Sequence, residues 1–261
     1  MGIVNLTDDS FSGDGLMSDI SRAIERGMRM VAEGADILDI GAESSRPGAS
    51  PIDVEHEIER IVPVVAGLRD CGVPLSIDTV KPMVMKQALV HGADMINDIN
   101  ALNEPGAIDV VAASEAAVCL MHMQGKPGTM QHAPLYGDVV QEVAAFLSLR
   151  VANAIAAGIG SDRIVIDPGF GFGKTIEHNL ALLRELRKLS EMGFPMLVGL
   201  SRKSMLGTIT DRVIDDRVHA SVAAAMLAVA RGANILRVHD VAATRDALAM
   251  WNAVENQPDD S

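Results

Sequence analysis

The chain has 261 residues, of which 48% are apolar, and its 22 basic and 35 acidic side chains give a formal charge of −13. This acidity argues against a polyanionic partner such as DNA or RNA, and the apolar fraction excludes a disordered chain. The two cysteines, Cys71 and Cys119, show neither zinc-site nor disulfide spacing, so a reducing compartment is expected.

No targeting or membrane segment is evident in the sequence. Residues 1–5 lack the basic stretch and the long apolar run of a secretory signal. The longest uninterrupted apolar run, residues 222–230, is far shorter than the roughly 20 residues that span a bilayer. We therefore expect a cytoplasmic protein that binds neither membranes nor nucleic acid.

Short apolar runs alternate with segments of helical periodicity along the chain. Eight runs predict strands, at residues 3–4, 37–40, 75–77, 95–96, 118–121, 164–166, 196–198 and 235–238. Helices are predicted between them, as at residues 20–33, 54–69, 83–91, 139–157 and 180–192. This alternation is typical of an α/β fold with a parallel sheet.

A weak internal repeat at residues 33–36, 91–94 and 231–234 places Gly34, Gly92 and Gly232 between a helix and the next strand. Glycine suits a helix end because it adopts a left-handed conformation without steric cost. Eight such units in about 250 residues predict a single-domain (β/α)₈ barrel over residues 1–254, with a polar tail at 255–261. An open doubly wound sheet is the alternative, but it usually has a glycine-rich phosphate loop after its first strand.

Three stretches that follow strands are long and rich in glycine, proline and serine, at residues 7–18, 42–53 and 124–137. Loops of this length in a compact domain are usually lids or binding loops. In a barrel they lie on the face that carries the active site.

Nearly every predicted strand ends in a polar residue, and in a barrel these ends converge on one mouth. The residues are Asn5, Glu43, Asp78, Asn97, His122, Asp167, Ser201 with Lys203, and Arg237 with His239. The cations among them, together with Arg46 of the second long loop, predict an anion site. Arg237 lies within an apolar run and therefore needs a partner.

Two acids and an amide, Asp78, Asp167 and Asn97, suit a heterocycle with amino, ring N–H and carbonyl groups on one edge. A hydrolytic carboxylate pair is a competing interpretation, but the amide and the lysine nearby disfavour it. The run at 167–175 fails as a phosphate-binding loop because Pro168 occupies the position of its first glycine. Its glycines instead predict a sharp turn with Phe172 as a hydrophobic wall.

Other chemistry is less favoured. A zinc site at His122 and His239 lacks a third ligand at recognisable spacing, and His122 is predicted to be a core histidine. Magnesium bound by Asn5 and substrate phosphate is more plausible. Lys203 could form a Schiff base, although nothing else supports that chemistry.

On these motifs the sequence closely resembles the dihydropteroate synthases, folate-pathway transferases of the pterin-binding barrel family. The resemblance runs through residues 1–5, 9–12, 43–48, 77–79, 96–99, 121–123, 167–174, 199–204 and 237–240. It implies a (β/α)₈ barrel, usually a homodimer, that joins 6-hydroxymethyl-7,8-dihydropterin diphosphate to 4-aminobenzoate and releases diphosphate with the help of magnesium. It also implies a dissociative substitution and a target of sulfonamides.

The resemblance implies a role for each matching residue. The pterin would be held by Asp78, Asn97, Asp167, Lys203, Met121 and Phe172, and its diphosphate and magnesium by Arg237, His239 and Asn5. The long loops would close over the aminobenzoate through Phe11, Ser45, Arg46 and Pro47, with Ser204 at its carboxylate and Ser45 also near the pterin diphosphate. The expected catalytic residues are Lys203, Arg237, Asp78 and Asp167.

Departures from the family pattern concentrate in the loops, and in the first of them Thr7-Asp8-Asp9 replaces the usual Thr-Pro-Asp. The altered first loop leaves open a pterin-binding paralogue with little activity. A further alternative is a pterin-dependent methyltransferase of related barrel type. The methyltransferase is expected to lack the run at residues 201–204.

Overall fold

The computed structural model describes residues 1–6, 16–43 and 52–255, without the side chains of residues 16–18. Its strands are β1 Gly2–Asn5, β2 Leu38–Gly41, β3 Leu75–Asp78, β4 Met95–Asp98, β5 Ala117–Met121, β6 Ile164–Asp167, β7 Leu197–Val198 and β8 Ile235–Leu236. Its helices are α1 Leu16–Ala32, α2 Val54–Leu68, α3 Pro82–Val90, α4 Ala107–Ala112, α5 Val139–Ala156, α6 Ile176–Arg184, α7 Arg187–Ser190, α8 Ser204–Thr210, α9 Val218–Val229 and α10 Val241–Glu255.

The strands form a closed parallel ring. β1 to β6 make one sheet in chain order, and β7 pairs with β8. Single parallel bridges, Gly2 with Val238 and Ile166 with Met196, join the two sheets at both edges. All eight predicted strands are present, and the ring confirms the (β/α)₈ barrel over the open-sheet alternative.

Two apolar layers surround the strands. The larger lies between the sheet and the helices, where Leu38 and Ile40 of β2 pack with residues such as Leu68 of α2. A smaller cluster fills the interior near the amino ends of the strands and includes Met95 and Cys119. Because this end is filled with side chains, the interior is open to a ligand only at the carboxyl ends.

The repeated glycines end helices as expected. Gly34, Gly92 and Gly232 follow α1, α3 and α9 with φ of +93°, +111° and +96°. Residues with a Cβ rarely adopt this conformation, so the glycines allow the chain to turn directly into the next strand.

Some predicted boundaries differ from the structure. The predicted helix at 180–192 is interrupted after Arg184, where the amide of Leu186 bonds to the carbonyl of Leu183, and it becomes α6 and α7. α1 begins at Leu16, inside the predicted first loop. Residues 7–15 and 44–51, most of the first two loops, and residues 256–261 of the predicted tail lie outside the described residues. Glu255, the first residue of that tail, ends α10.

Helix α5 is long and apolar enough to cross a membrane by length and composition alone. The sequence analysis predicted this helix at residues 139–157 but not its suitability for a membrane, because Glu142 and Arg150 interrupt its apolar run. In the barrel α5 lies in the outer layer, with Val143 and Leu147 buried. The apolar side of α5 therefore packs against the rest of the barrel.

Candidate active site at the carboxyl ends of the strands

A cavity of about 460 Å³ opens at the carboxyl ends of the strands. It brings together residues that the sequence analysis placed at one mouth: Asn5, Asp78, Asn97, Met121, Asp167, Phe172, Lys203, Ser204, Arg237 and His239. Met130 and Gln131 of the third long loop also line it. The other predicted ligands, Phe11, Ser45, Arg46 and Pro47, lie outside the described residues.

Arg237 was predicted to need a partner because it lies in an apolar run, and it has two acidic partners. Its Nε donates to Asp39 Oδ2 at 2.5 Å, and its Nη2 donates to Asp78 Oδ2 at 2.8 Å. Burial alone would lower the pKa of the Arg237 guanidinium, but Asp39 and Asp78 outweigh burial and raise that pKa above its ordinary value. Arg237 is therefore a permanent cation, and Nη1 is the part of its fork that these two acids leave available.

The two acids at the cavity floor are hard to ionise. Burial raises the pKa of Asp78 to about 7, with the nearby Arg237 opposing the rise. Burial also raises the pKa of Asp167 to about 6, opposed by the hydrogen bond from the Gly169 amide and by the Lys203 charge. Near neutral pH both carboxyls titrate, so each can present an acceptor or a donor to a ligand.

Lys203 lies opposite these acids, with its Nζ 4.2 Å from the centre of the Phe172 ring. Burial, followed by the charge of Arg237, lowers the pKa of this ammonium to about 8. Lys203 follows Arg202, whose φ of +57° is unusual for a residue with a side chain. Arg202 is held by a bidentate pair with Asp240, at 2.6 and 3.0 Å, which directs Lys203 into the cavity.

The prediction that His239 is a cation is wrong. Burial, and then the charge of Arg237, lowers the pKa of this imidazole to about 3, so the ring is neutral at pH 7. Its Nδ1 lies 3.0 Å from Ser201 Oγ. A neutral ring at this place contributes a hydrogen bond to an anion instead of a charge.

A buried lysine shapes the glycine-rich loop after β6. Lys174 Nζ donates to the carbonyls of Gly169 and Phe172 at 2.9 and 3.1 Å, and it lies 2.9 Å from His122 Nδ1. Burial lowers the pKa of His122 to about 3 and that of Lys174 to about 7. His122 is thus the core histidine that the sequence predicted. Lys174 was not predicted because the partners that bury its ammonium, among them His122, are distant in sequence or belong to the loop backbone.

The same loop depends on glycine for a close approach of two backbones. Gly169 has a φ of +67°, and a Cβ at this position would lie 1.9 Å from the carbonyl oxygen of His122. Only glycine therefore fits here, and the close contact places Phe172 against the cavity.

A second buried lysine anchors the edge of the cavity. Lys81 pairs with Glu43 and with the fully buried Glu57, and its Nζ donates to the Ile52 carbonyl at 2.7 Å. Glu43 and Ile52 lie near the two ends of the second long loop, so Lys81, which directly precedes α3, ties both ends of that loop to α2 through Glu57. Glu43 was predicted to be a strand-end residue, but its partner was not identified from the sequence.

Asp39 is a further residue that the sequence analysis missed. It is fully buried in the middle of β2 and accepts from Ser76 Oγ, Asn97 Nδ2 and Arg237 Nε. An acid within an apolar strand must be paired, and this rule could have identified it.

The described residues contain no group of three or more histidine, cysteine, aspartate or glutamate side chains placed to hold a metal. A hard cation at the cavity would therefore depend on a neutral oxygen donor such as Asn5, together with ligand oxygens.

Comparisons with known proteins agree with this site. Residues 1–239 match the family model described as pterin binding enzyme. The chain is 52% identical to a dihydropteroate synthase of Neisseria meningitidis serogroup B, over 97% of this chain and 92% of the relative.

Solved structures of similar proteins extend the comparison. A Xanthomonas albilineans dihydropteroate synthase with 4-aminobenzoic acid has a TM-score of 0.94 at 52% identity, covering 99% of this chain and 93% of that one. The enzyme from the same organism in complex with 7,8-dihydropteroate has a TM-score of 0.90 at 49% identity, covering 99% and 94%.

Proposed function

The chain belongs to the pterin-binding enzyme family and has dihydropteroate synthase activity, and we propose the following roles in that reaction for the residues that line the cavity. The reaction joins 6-hydroxymethyl-7,8-dihydropterin diphosphate to 4-aminobenzoate, giving 7,8-dihydropteroate and diphosphate in folate biosynthesis. One observation carries the assignment: Asp78, Asn97, Asp167, Lys203 and Arg237 surround a single cavity although they are far apart in the sequence.

The floor of the cavity binds the pterin. Asp78 and Asp167 offer carboxyl oxygens, and Asn97 offers an amide, to the amino and ring nitrogen groups of the heterocycle. Met121 and Phe172 cover the faces of the ring, and the Lys203 ammonium donates to its polar edge. Such a buried, polar floor suits a planar ligand with donors and acceptors along one edge.

The rim takes the diphosphate. Arg237 supplies its remaining Nη1 donors, and the neutral His239 supplies a hydrogen bond. The half-buried amide of Asn5 lines the same cavity and is a hard oxygen donor that fits magnesium, which would share the phosphate oxygens. When bound, magnesium would neutralise charge on the leaving group.

The chemistry is a dissociative substitution. The bond between the methylene carbon and the diphosphate oxygen breaks, and the cation left behind is delocalised into the electron-rich pterin. The amine nitrogen of 4-aminobenzoate then forms the new bond and releases its proton. Because an aniline nitrogen is already neutral at pH 7, the site needs fixed cations for the leaving group and no strong base.

The aminobenzoate is proposed to lie toward Ser204, at the start of α8, under the first two long loops. Its other predicted contacts are Phe11, Ser45, Arg46 and Pro47, and Ser45 is also proposed to reach the pterin diphosphate. These contacts remain predictions because the residues lie outside the described part of the chain.

We also propose a homodimer in the cytoplasm. Apolar side chains are exposed on the packed pair α9 and α10, namely Leu227 at 47%, and Met250 and Val254 at 67% each. Exposed apolar side chains on neighbouring helices are typical of subunit interfaces. Both cysteines are free, which suits a reducing compartment.

The activity is tested by a coupled assay of diphosphate release, with both substrates and magnesium, with and without 4-aminobenzoate. We expect release that depends on the amine, and a loss of about 100-fold in Lys203→Ala. Lys188→Ala is the control because its ion pair with Glu185 lies on the surface. Pterin binding without diphosphate release would instead support the low-activity paralogue.

A further inference from the structure

Asp39 is fully buried beneath the cavity and has no place in the roles given above. Its Oδ1 accepts from Ser76 Oγ at 2.6 Å. Its Oδ2 accepts from Asn97 Nδ2 at 3.1 Å and from Arg237 Nε at 2.5 Å. Three donors converge on this side chain, so it acts as an acceptor, and Asp39 is not among the residues that line the cavity.

This acceptor fixes the orientation of the Asn97 amide. The oxygen and nitrogen of an amide are similar in shape, so the neighbours decide which of them points where. A flipped amide would place its oxygen against the Asp39 carboxylate and lose the hydrogen bond, an unfavourable arrangement at a buried position. Asn97 therefore presents its carbonyl oxygen and its one remaining N–H to the cavity.

The carbonyl oxygen and the remaining N–H of Asn97 match one pattern of donor and acceptor on a ligand. An acceptor beside a donor matches a ring nitrogen next to an exocyclic amino group, as on the 2-amino edge of a pterin. It mismatches a 2,4-dioxo ring, in which an N–H stands beside an oxo oxygen and the order of donor and acceptor is reversed. Discrimination of this kind can be large, because a wrong ligand leaves buried polar groups unpaired.

We propose that Asp39 is a specificity-determining positioning residue, which holds the Asn97 amide in the orientation that selects a 2-amino ring over its 2-oxo counterpart. This inference rests on the proposed function, since it takes the ligand to be a pterin. Asp39 acts through Asn97 and is not itself a catalytic residue.

The test is the ratio of two dissociation constants, for 6-hydroxymethylpterin and for its 2,4-dioxo counterpart, measured by fluorescence titration of the whole protein. We expect the unmodified protein to prefer the amino ligand by about 100-fold. In Asp39→Ala the amide can turn over, so the preference should fall about tenfold, with Asp78 and Asp167 providing the remainder.

Two matched variants separate orientation from charge and packing. Asp39→Asn keeps an oxygen for Asn97 and Arg237, because the Ser76 hydroxyl can accept from the new NH₂ group, so it should stay within about threefold of the original ratio. Ser76→Ala removes the other partner of Asp39 and should also leave the ratio within about threefold. An unchanged ratio in Asp39→Ala, or an equal fall in Asp39→Asn or Ser76→Ala, would overturn the proposal.

A second measurement applies if Asp39→Ala does not fold. In ¹⁵N spectra of the ligand-free protein, assigned with Asn97→Ala, one side-chain amide proton of Asn97 should be protected from solvent exchange. Rapid exchange of both protons would contradict the proposal. Failure of the unmodified protein to bind either ring would instead refute the proposed function, which distinguishes the two outcomes.

Discussion

The cavity draws on two parts of the barrel that are built in different ways. In the six-stranded part, β1 to β6, each strand has four or five residues in a continuous parallel ladder. In the two-stranded part, β7 and β8 pair over two residues and meet the other part through single bridges. The first part supplies the acids and amides of the site, and the second supplies Lys203 and Arg237.

The difference shows how each group is held in place. The backbone ladder positions Asp78 and Asp167 at the ends of β3 and β6, and Asn97 one residue before the end of β4. The cations lie where the ladder is short, so side-chain pairs position them instead. Arg237 reaches across to Asp39 and Asp78, and Arg202 ties the loop after β7 to the one after β8 through Asp240. The ion pairs of Arg237 thus add a link between the two parts, whose sheets are joined by single bridges.

Removing Arg237 should break this arrangement most severely. Arg237→Ala leaves the buried Asp39 and Asp78 without their cation, and we expect a loss of about 3 kcal/mol in unfolding free energy together with about 1000-fold in kcat/KM. Urea unfolding and diphosphate-release kinetics measure the two effects.

Arg150→Ala is the matched control for that experiment. Arg150 donates only to the carbonyls of Ala101 and Leu102, away from the cavity. It should lose some stability and keep its activity. Comparable kinetic losses in both variants would show that the cation matters for folding alone.

The pH dependence should separate the two parts. Asp78 and Asp167 carry charge only above their raised pKa values of about 7 and about 6, whereas Lys203 carries charge only below its lowered pKa of about 8. The value of kcat/KM should therefore fall at acid pH, where Asp78 and Asp167 of the six-stranded part lose their charge. It should also fall at alkaline pH, where Lys203 of the two-stranded part loses its charge, so the maximum lies between pH 7 and 8.

Lys203→Arg tests the alkaline limb. A guanidinium does not titrate in this range, so this variant should keep the acid limb, lose the alkaline one, and turn over about tenfold more slowly because the planar fork replaces a compact ammonium. An unchanged alkaline limb in Lys203→Arg would assign that limb to another group.

The smallest effect is expected at the tie between the two loops. Arg202→Ala removes the pair with Asp240, and we expect about a tenfold loss in kcat/KM because Lys203 is less well directed. Asp240→Ala should have the same effect, and the double variant should be no worse than either single one. Arg245→Ala, which breaks an exposed pair with Asp36, is the control. Additive losses at Arg202 and Asp240 would mean that the two residues act separately.

Much of this architecture could be predicted from the sequence. Apolar runs predicted the eight strands, three of them after helices that end at a glycine, and polar residues at strand ends predicted the mouth. The prediction that Arg237 needs a partner was also correct. These inferences succeed because side-chain periodicity and glycine conformation are local properties of the chain.

The sequence did not reveal the identity of the partners. Asp39 stands between Leu38 and Ile40, which face the helices, and only its contacts show that it faces the barrel interior. The charge state of His239 was predicted wrongly, because burial beside Arg237 lowers its pKa. Such shifts depend on residues that are distant in sequence.

By itself, then, the sequence determined the order of strands and helices and the set of polar groups at one face, since both follow from neighbouring residues. Only the tertiary structure decided which groups are paired, which carry charge and which way the Asn97 amide points. Closing the ring brings residues as far apart in sequence as Asp39 and Arg237 into contact. It also buries them away from water, and this burial changes the free energy of ionising the charged groups at the site.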